Sequence, residues 1–148
     1  VPAFILGPGV QPRVSSELVS MQDVAPTVLD LAGAAPRNLD GHSLVDLFDG
    51  AAPWRARLGF QHYDKNLKVS FTGVKTATNR KMTVYANGVR EYYKLDTDPY
   101  EIDNRCRISA AGTYVDVSGG ACAQSLYDWT SVLSTCSGSN CWALETVQ

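Results

Sequence analysis

Four cysteines, Cys106, Cys122, Cys136 and Cys141, all lie beyond residue 105 of this 148-residue chain. Their even number suits two disulfides formed in an oxidising compartment. Four cysteines can pair in three ways. Cys136 with Cys141 is favoured, because Ser137-Gly138-Ser139-Asn140 is turn chemistry able to close a short loop, and Cys106 with Cys122 then remains around a glycine-containing loop. Structural zinc is the competing use, but it wants close C-x2-4-C knuckles, which the wide intervals between Cys106, Cys122 and Cys136 do not supply. A second grouping is Gln61-His62-Tyr63-Asp64-Lys65, where His62, Tyr63 and Lys65 bring hydrogen-bonding groups and a cation able to pair with an anion to the end of a predicted strand. Polar residues at a surface strand end are the plainer reading of the same stretch. His42, in the loop Asp40-Gly41-His42-Ser43, is expected to face solvent. Asp103-Asn104 offers oxygen ligands for a hard cation, yet nothing nearby supplies the rest of an oxygen cage. Asp98 and Asn104 therefore read as turn and cap residues. Trp129 is expected in the core on the last helix, and Trp142 over an edge.

The elements that position these residues change character along the chain. Val1 to Leu6 is a nearly continuous apolar run closed by Gly7-Pro8-Gly9, which fits a strand buried on both faces of a parallel sheet. Glu17 to Ser20 is its only nearby candidate neighbour, so the strand is expected to have companions upstream. A helix is predicted from near Asp23, whose carboxylate could cap it, to Gly33, with Val24, Val28 and Leu31 on the inward stripe. Pro26 is comfortable only in its first turn. A turn-rich connector then leads to a short amphipathic piece, Ser43 to Phe48.

After Pro53 the period becomes two, with strands expected at 58–63, 68–76, 81–85 and 89–95 and a type I′ hairpin at Asn87-Gly88. A closing helix over 124–133 would lay Leu126, Trp129, Val132 and Leu133 on that sheet. The fold class expected is an α/β remnant over residues 1–53, followed by an α+β subdomain over 54–148 with a small antiparallel sheet and a packed C-terminal helix.

Composition excludes more than it names. Thirteen basic and fifteen acidic side chains give a net charge of −2 without blocks, so there is no basic footprint for nucleic acid. No apolar run reaches the length of a membrane span. The chain opens on Val1-Pro2-Ala3 with no initiator methionine and no signal-peptide pattern, which reads as a start cut from something longer.

Three segments in order resemble the sulfatase family of the alkaline-phosphatase-like superfamily. They are Val1-Pro2-Ala3-Phe4-Ile5-Leu6-Gly7-Pro8-Gly9; Met21-Gln22-Asp23-Val24-Ala25-Pro26-Thr27-Val28-Leu29-Asp30-Leu31-Ala32-Gly33 with Asp40-Gly41-His42-Ser43-Leu44; and Gly73-Val74-Lys75-Thr76, then Tyr85, then Tyr92-Tyr93-Lys94-Leu95-Asp96-Thr97-Asp98-Pro99-Tyr100-Glu101-Ile102-Asp103-Asn104. The ending Cys136 to Cys141 is similar to the closing cysteine pair of bacterial sulfatases that resemble N-acetylglucosamine-6-sulfatase. Lys75 and Tyr93-Lys94 depart from the commoner Arg and Tyr-Asp of the family.

The resemblance implies hydrolysis of sulfate esters, of sulfated carbohydrates or aryl sulfates, by a formylglycine hydrate with calcium neutralising the sulfate oxygens. It places nucleophile and metal ligands upstream of Val1. This sequence has no Asp-Asp dipeptide and no C/S-x-P-S/A-x-R motif, so no catalytic or metal residue is assigned here, and the isolated chain is expected to be inactive. His62, Tyr63 and Lys65 become candidates for the rim of the substrate cleft, with the catalytic portion as partner. The even number of cysteines places the chain as secreted, periplasmic or otherwise in an oxidising compartment. A related phosphodiesterase or phosphonate hydrolase, or a non-catalytic carbohydrate-binding module, are the alternatives.

Overall fold

A computed structural model describes residues 3–35, 37–50 and 54–146. Period-two alternation after residue 56 produces four antiparallel strands, β1 (Arg57–Tyr63), β2 (Val69–Thr76), β3 (Arg80–Tyr85) and β4 (Arg90–Lys94), in the order β1-β2-β3-β4. Gly59, Val74, Met82 and Tyr92 are in register across the sheet and so share one face. Helix α2 (Gln124–Leu133) covers that face with Leu126, Tyr127, Trp129 and the buried Leu133. The close approach depends on Gly59, since a Cβ there would meet Leu133 Cβ at 2.8 Å. Two short strands, β5 (Cys106–Ile108) and β6 (Tyr114–Asp116), form a separate hairpin, and a last helix, α3 (Ser139–Thr146), packs beside β1.

Both favoured disulfides are present, Cys106–Cys122 and Cys136–Cys141, with Cα–Cα distances of 5.6 and 5.1 Å. The α+β architecture, its strand sequence and the span of α2 agree with the sequence reading. Several particulars differ. Of the expected strand at Val1 to Leu6, residues 1 and 2 lie outside the described residues, while residues 3–6 join no sheet and leave Phe4 and Leu6 87% and 86% exposed. A strand of that kind holds only between neighbours, and none of the described strands reaches it. Glu17 to Ser20 is likewise not a strand. The Asn87-Gly88 turn is a three-residue loop, not type I′: Gly88 alone has positive φ (84°), its N–H donates to Tyr85 O (2.8 Å), and Tyr85 N–H donates to Val89 O (2.9 Å).

The first helix, α1, spans Val24–Leu31 and is preceded by a 3-10 turn, Met21–Asp23. Asp23 occupies the N-cap position of α1 but makes no side-chain cap bond there; the capping side chain is Ser20, at the start of the 3-10 turn. Ser20 Oγ accepts from Gln22 N–H (3.3 Å) while Asp23 Oδ2 accepts from Ser20 N–H (2.7 Å), a reciprocal capping box. The expected inward stripe is turned outward, with Val24, Val28 and Leu31 45%, 59% and 64% exposed. Thr27 faces inward instead; its Oγ1 donates to Asp23 O (2.6 Å) and accepts from Leu44 N–H (2.8 Å), docking α1 on the 3-10 turn Leu44–Leu47. On α2, Val132 is exposed where Thr130 is buried.

Candidate functional site

β1 ends in His62 and Tyr63, two of the three residues singled out for chemistry, and strand alternation separates them. His62 stacks on Phe71 (centroids 5.1 Å apart, planes 11° apart) on the sheet face away from α2, with Nδ1 2.6 Å from Ser70 Oγ. Ser70 is the extra residue of a bulge opposite His62 and Tyr63. Tyr63 projects to the other face, where its hydroxyl donates to Gln61 Oε1 (2.7 Å) and Gln61 Nε2 donates to Ser134 O (2.9 Å). Lys65 lies exposed in the turn between β1 and β2. His62 and Tyr63 therefore cannot grip one ligand from one face.

An open cleft of about 320 Å³ runs along β1, walled by Gln22, Asp40, Tyr63, Ser134 and the Cys136–Cys141 disulfide. Behind it lies a buried ionic cluster that sequence reading did not find. Arg55, Asp23 and Glu145 are 1%, 0% and 5% exposed. Arg55 grips Asp23 with two parallel bonds, Nη1 to Oδ2 (2.7 Å) and Nη2 to Oδ1 (2.8 Å). Its Nε lies 2.9 Å from Glu145 Oε2, at ion-pair distance but out of hydrogen-bond alignment, while Glu145 Oε1 accepts from Gly59 N–H (3.3 Å). Two carboxylates thus share one guanidinium.

Burial opposes ionisation of both, and their surroundings separate them. At Asp23 the bonds from Arg55 and from the N–H groups of His42 and Ser20 outweigh burial and hold the pKa below the ordinary value. At Glu145 burial prevails, aided by the charge of Asp23 and only partly offset by Arg55 and Gly59, and the pKa is raised. Asp23 contributes stability that is lost as pH falls through its lowered pKa, whereas the ionisation of Glu145 removes stability as pH rises from the ordinary 4.5 through its raised value. We expect the parent sequence to lose stability as pH rises above the ordinary 4.5 and Glu145→Gln to flatten that decline, measured by urea unfolding as a function of pH. A parallel decline in both proteins would contradict this assignment.

His42 is not free in solvent as expected. Its ring stacks on Trp142 (3.8 Å, 7°), Trp54 meets both edge-on, and Nε2 lies 3.0 Å from Asp46 Oδ2. Gly41 beside it leaves no room for a side chain, since a Cβ there would fall 2.1 Å from Gln22 O. Asp98 and Asn104 do act as turn and bridging residues. Asp98 accepts from the N–H groups of Ile102 and Asp103 (both 3.0 Å). Asn104 Oδ1 accepts from Tyr92 and Cys106 N–H, while Nδ2 donates to Arg90 O, stitching β4 to β5. Asn104 is thereby committed to the backbone and does not fit a cation cage. Among the described residues no group of three or more His, Cys, Asp or Glu side chains could hold a metal ion.

With this geometry in place, the family model for N-sulphoglucosamine sulphohydrolase, C-terminal, matches residues 1–117. The chain belongs to this C-terminal sulfatase family. Mouse arylsulfatase K is 31% identical over 117 residues, covering 70% of this chain and 21% of that protein. Human arylsulfatase D is 44% identical over 68 residues, covering 43% of this chain and 12% of that protein. A protein solved in complex with its substrate D-glucosamine-2-N,6-O-disulfate shares 29% identity over 55% of this chain and 18% of its own, with a TM-score of 0.49. The chain spans about a fifth of the length of the arylsulfatase K relatives it matches. Within the sulfatase family match fall α1, the Asp40-Gly41 loop, the four-stranded sheet and the Asp98 to Asn104 turn; α2, α3 and the second disulfide lie beyond it.

Proposed function

We propose that this chain forms the C-terminal subdomain of a sulfuric ester hydrolase acting on sulfated carbohydrates, and that the nucleophile and the divalent cation site belong to a catalytic portion packed against residues 3–31. The observation that carries the reading is the family match over residues 1–117. The outward apolar stripe of α1, Val24, Val28 and Leu31, supports the docking of that portion, because a helix stripe of this kind is stable when another layer covers it. The cation is calcium and the nucleophile formylglycine in this reading; no step of the hydrolysis is routed through residues of this chain. Its own contribution is a scaffold and a rim. His62, held through Nδ1 by Ser70, keeps Nε2 for a sugar hydroxyl or sulfate oxygen, and Lys65 offers an exposed ammonium from the turn that follows β1. Tyr63, turned to the cleft side, serves the β1 edge instead. Two disulfides suit a secreted or periplasmic enzyme.

The test pairs two proteins. With calcium and an aryl sulfate, the protein carrying an upstream C/S-x-P-S/A-x-R motif turns over, and the 148-residue chain does not. Val28→Asp should change the isolated chain by no more than about 0.5 kcal/mol, as expected of a surface change, yet sharply reduce activity and soluble yield of the complete enzyme. Turnover by the isolated chain, or indifference of the complete enzyme to Val28→Asp, would overturn this arrangement. A threonine in place of the Cys or Ser of the motif would move the activity to phosphodiesters or phosphonates.

A further inference from the structure

The two disulfides sit in unlike settings. Cys106 and Cys122 are both buried and belong to the core cluster with Met82 and Tyr92. Cys136 is only half-buried and, with Cys141, walls the open cleft beside β1. A thiolate must reach the sulfur it attacks; Cys141 is itself buried, so the approach is at Cys136, whereas both residues of the first bond are buried.

What the second disulfide holds is equally distinct. It closes the loop that leads into α3, and the start of α3 is anchored to a loop about a hundred residues away. Gly138 N–H donates to Asp40 Oδ1 (2.5 Å) and Ser139 N–H to Asn38 Oδ1 (2.6 Å). One turn on, Trp142 stacks on His42, and at the far end Glu145 meets Arg55. Gly138 is fitted to this contact, since a Cβ there would meet Asn38 Oδ1 at 2.1 Å. With eight residues and no apolar stripe, α3 has little helical stability of its own. Its order rests on the cross-link and on these contacts.

We propose that Cys136–Cys141 is a thiol-responsive clasp: its reduction releases α3 from the 38–42 loop while the four-stranded sheet and α2 stay folded. The reductant is a dithiol. One of its thiolates attacks Cys136 Sγ, the S–S bond breaks, and Cys141 leaves as a thiolate that takes up a proton. The second thiol of the reductant then attacks the mixed disulfide, frees Cys136 as a thiol and leaves as its own disulfide, so two electrons pass to the protein. Because the contacts and the bond favour the same docked state, each strengthens the other.

The experiment exposes the chain to stepped dithiothreitol, labels the released thiols for mass spectrometry and follows hydrogen exchange. Cys136 and Cys141 should be labelled at a dithiol concentration about tenfold or more below that for Cys106 and Cys122. Exchange should then rise at residues 38–42 and 139–146 while the β2 and β3 amides stay protected. Asn38→Ala, which removes one contact and leaves the bond, should lower the dithiol needed by roughly fivefold. The Cys136→Ser/Cys141→Ser variant should show the open exchange pattern without reductant. Simultaneous reduction of both disulfides, unchanged exchange at the 38–42 loop after selective reduction, or loss of strand protection in the double variant would each overturn the proposal.

Discussion

Replacing Arg55 with methionine lowers the unfolding free energy by about 3–5 kcal/mol, the scale at which a buried charge loses its partner. Methionine keeps the length and removes the charge, so Asp23 and Glu145 remain buried with no cation between them. Trp54 and Trp142 lose the guanidinium that lies 5.3 and 5.2 Å from their ring centroids, and the Leu18 carbonyl loses one of its two side-chain donors. Set against the 5–15 kcal/mol that is typical of a domain, the loss brings the chain close to its limit. Adding Glu145→Gln should recover part of it at pH 7, because one of the two stranded carboxylates is gone. Arg55→Lys should recover less than its charge suggests, for an ammonium cannot reproduce the twin bonds to Asp23. Urea midpoints of these variants decide the matter; an Arg55→Met protein within about 1 kcal/mol of the parent would mean that the cluster is not the joint described here.

Met82→Ala is the second large effect, at about 2–5 kcal/mol for deletion of a buried side chain of this size. Met82 is fully buried, stands in register between Val74 and Tyr92, and belongs to the same cluster as Leu133 of α2. The void would open in the middle of the sheet-helix interface, where strands on both sides restrict collapse. Exchange protection in α2 should fall together with the denaturation midpoint. A loss under about 1 kcal/mol would place the centre of the core elsewhere.

The same two sites show what can be read from a linear chain. Met82 lies in a strand announced by alternation, and α2 is announced by its apolar spacing; both patterns are local, so they survive without knowledge of the fold. Arg55 carries no such mark. Arginine is ordinarily a surface residue, and its partners are 32 residues upstream and 90 downstream, so its burial arises only after three elements meet. His42 is a similar case, since its stacking partner Trp142 is supplied from the far end of the sequence. α3 escaped notice because no apolar period runs through its eight residues.

Some of what was missed had a signal. Ser20 and Asp23 have the spacing of a capping box, and it marks the true helix start better than the carboxylate of Asp23 alone. The opposed directions of His62 and Tyr63 follow from strand alternation. The outward stripe of α1 is different: its spacing correctly identified a helix, but which side meets the rest of the chain is set by Thr27 and its bonds to Asp23 and Leu44.

The anchoring of the 38–42 loop to the start of α3 also bears on the order of events in folding. The bonded partners are 98 and 101 positions apart, so closing that circuit costs chain entropy that hairpin formation between β3 and β4 does not. These ties should be absent when the rate-limiting barrier is crossed. Weakening them with Asn38→Ala should then leave the refolding rate nearly unchanged and hasten unfolding, making the last helix a brake on opening instead of a nucleus for assembly.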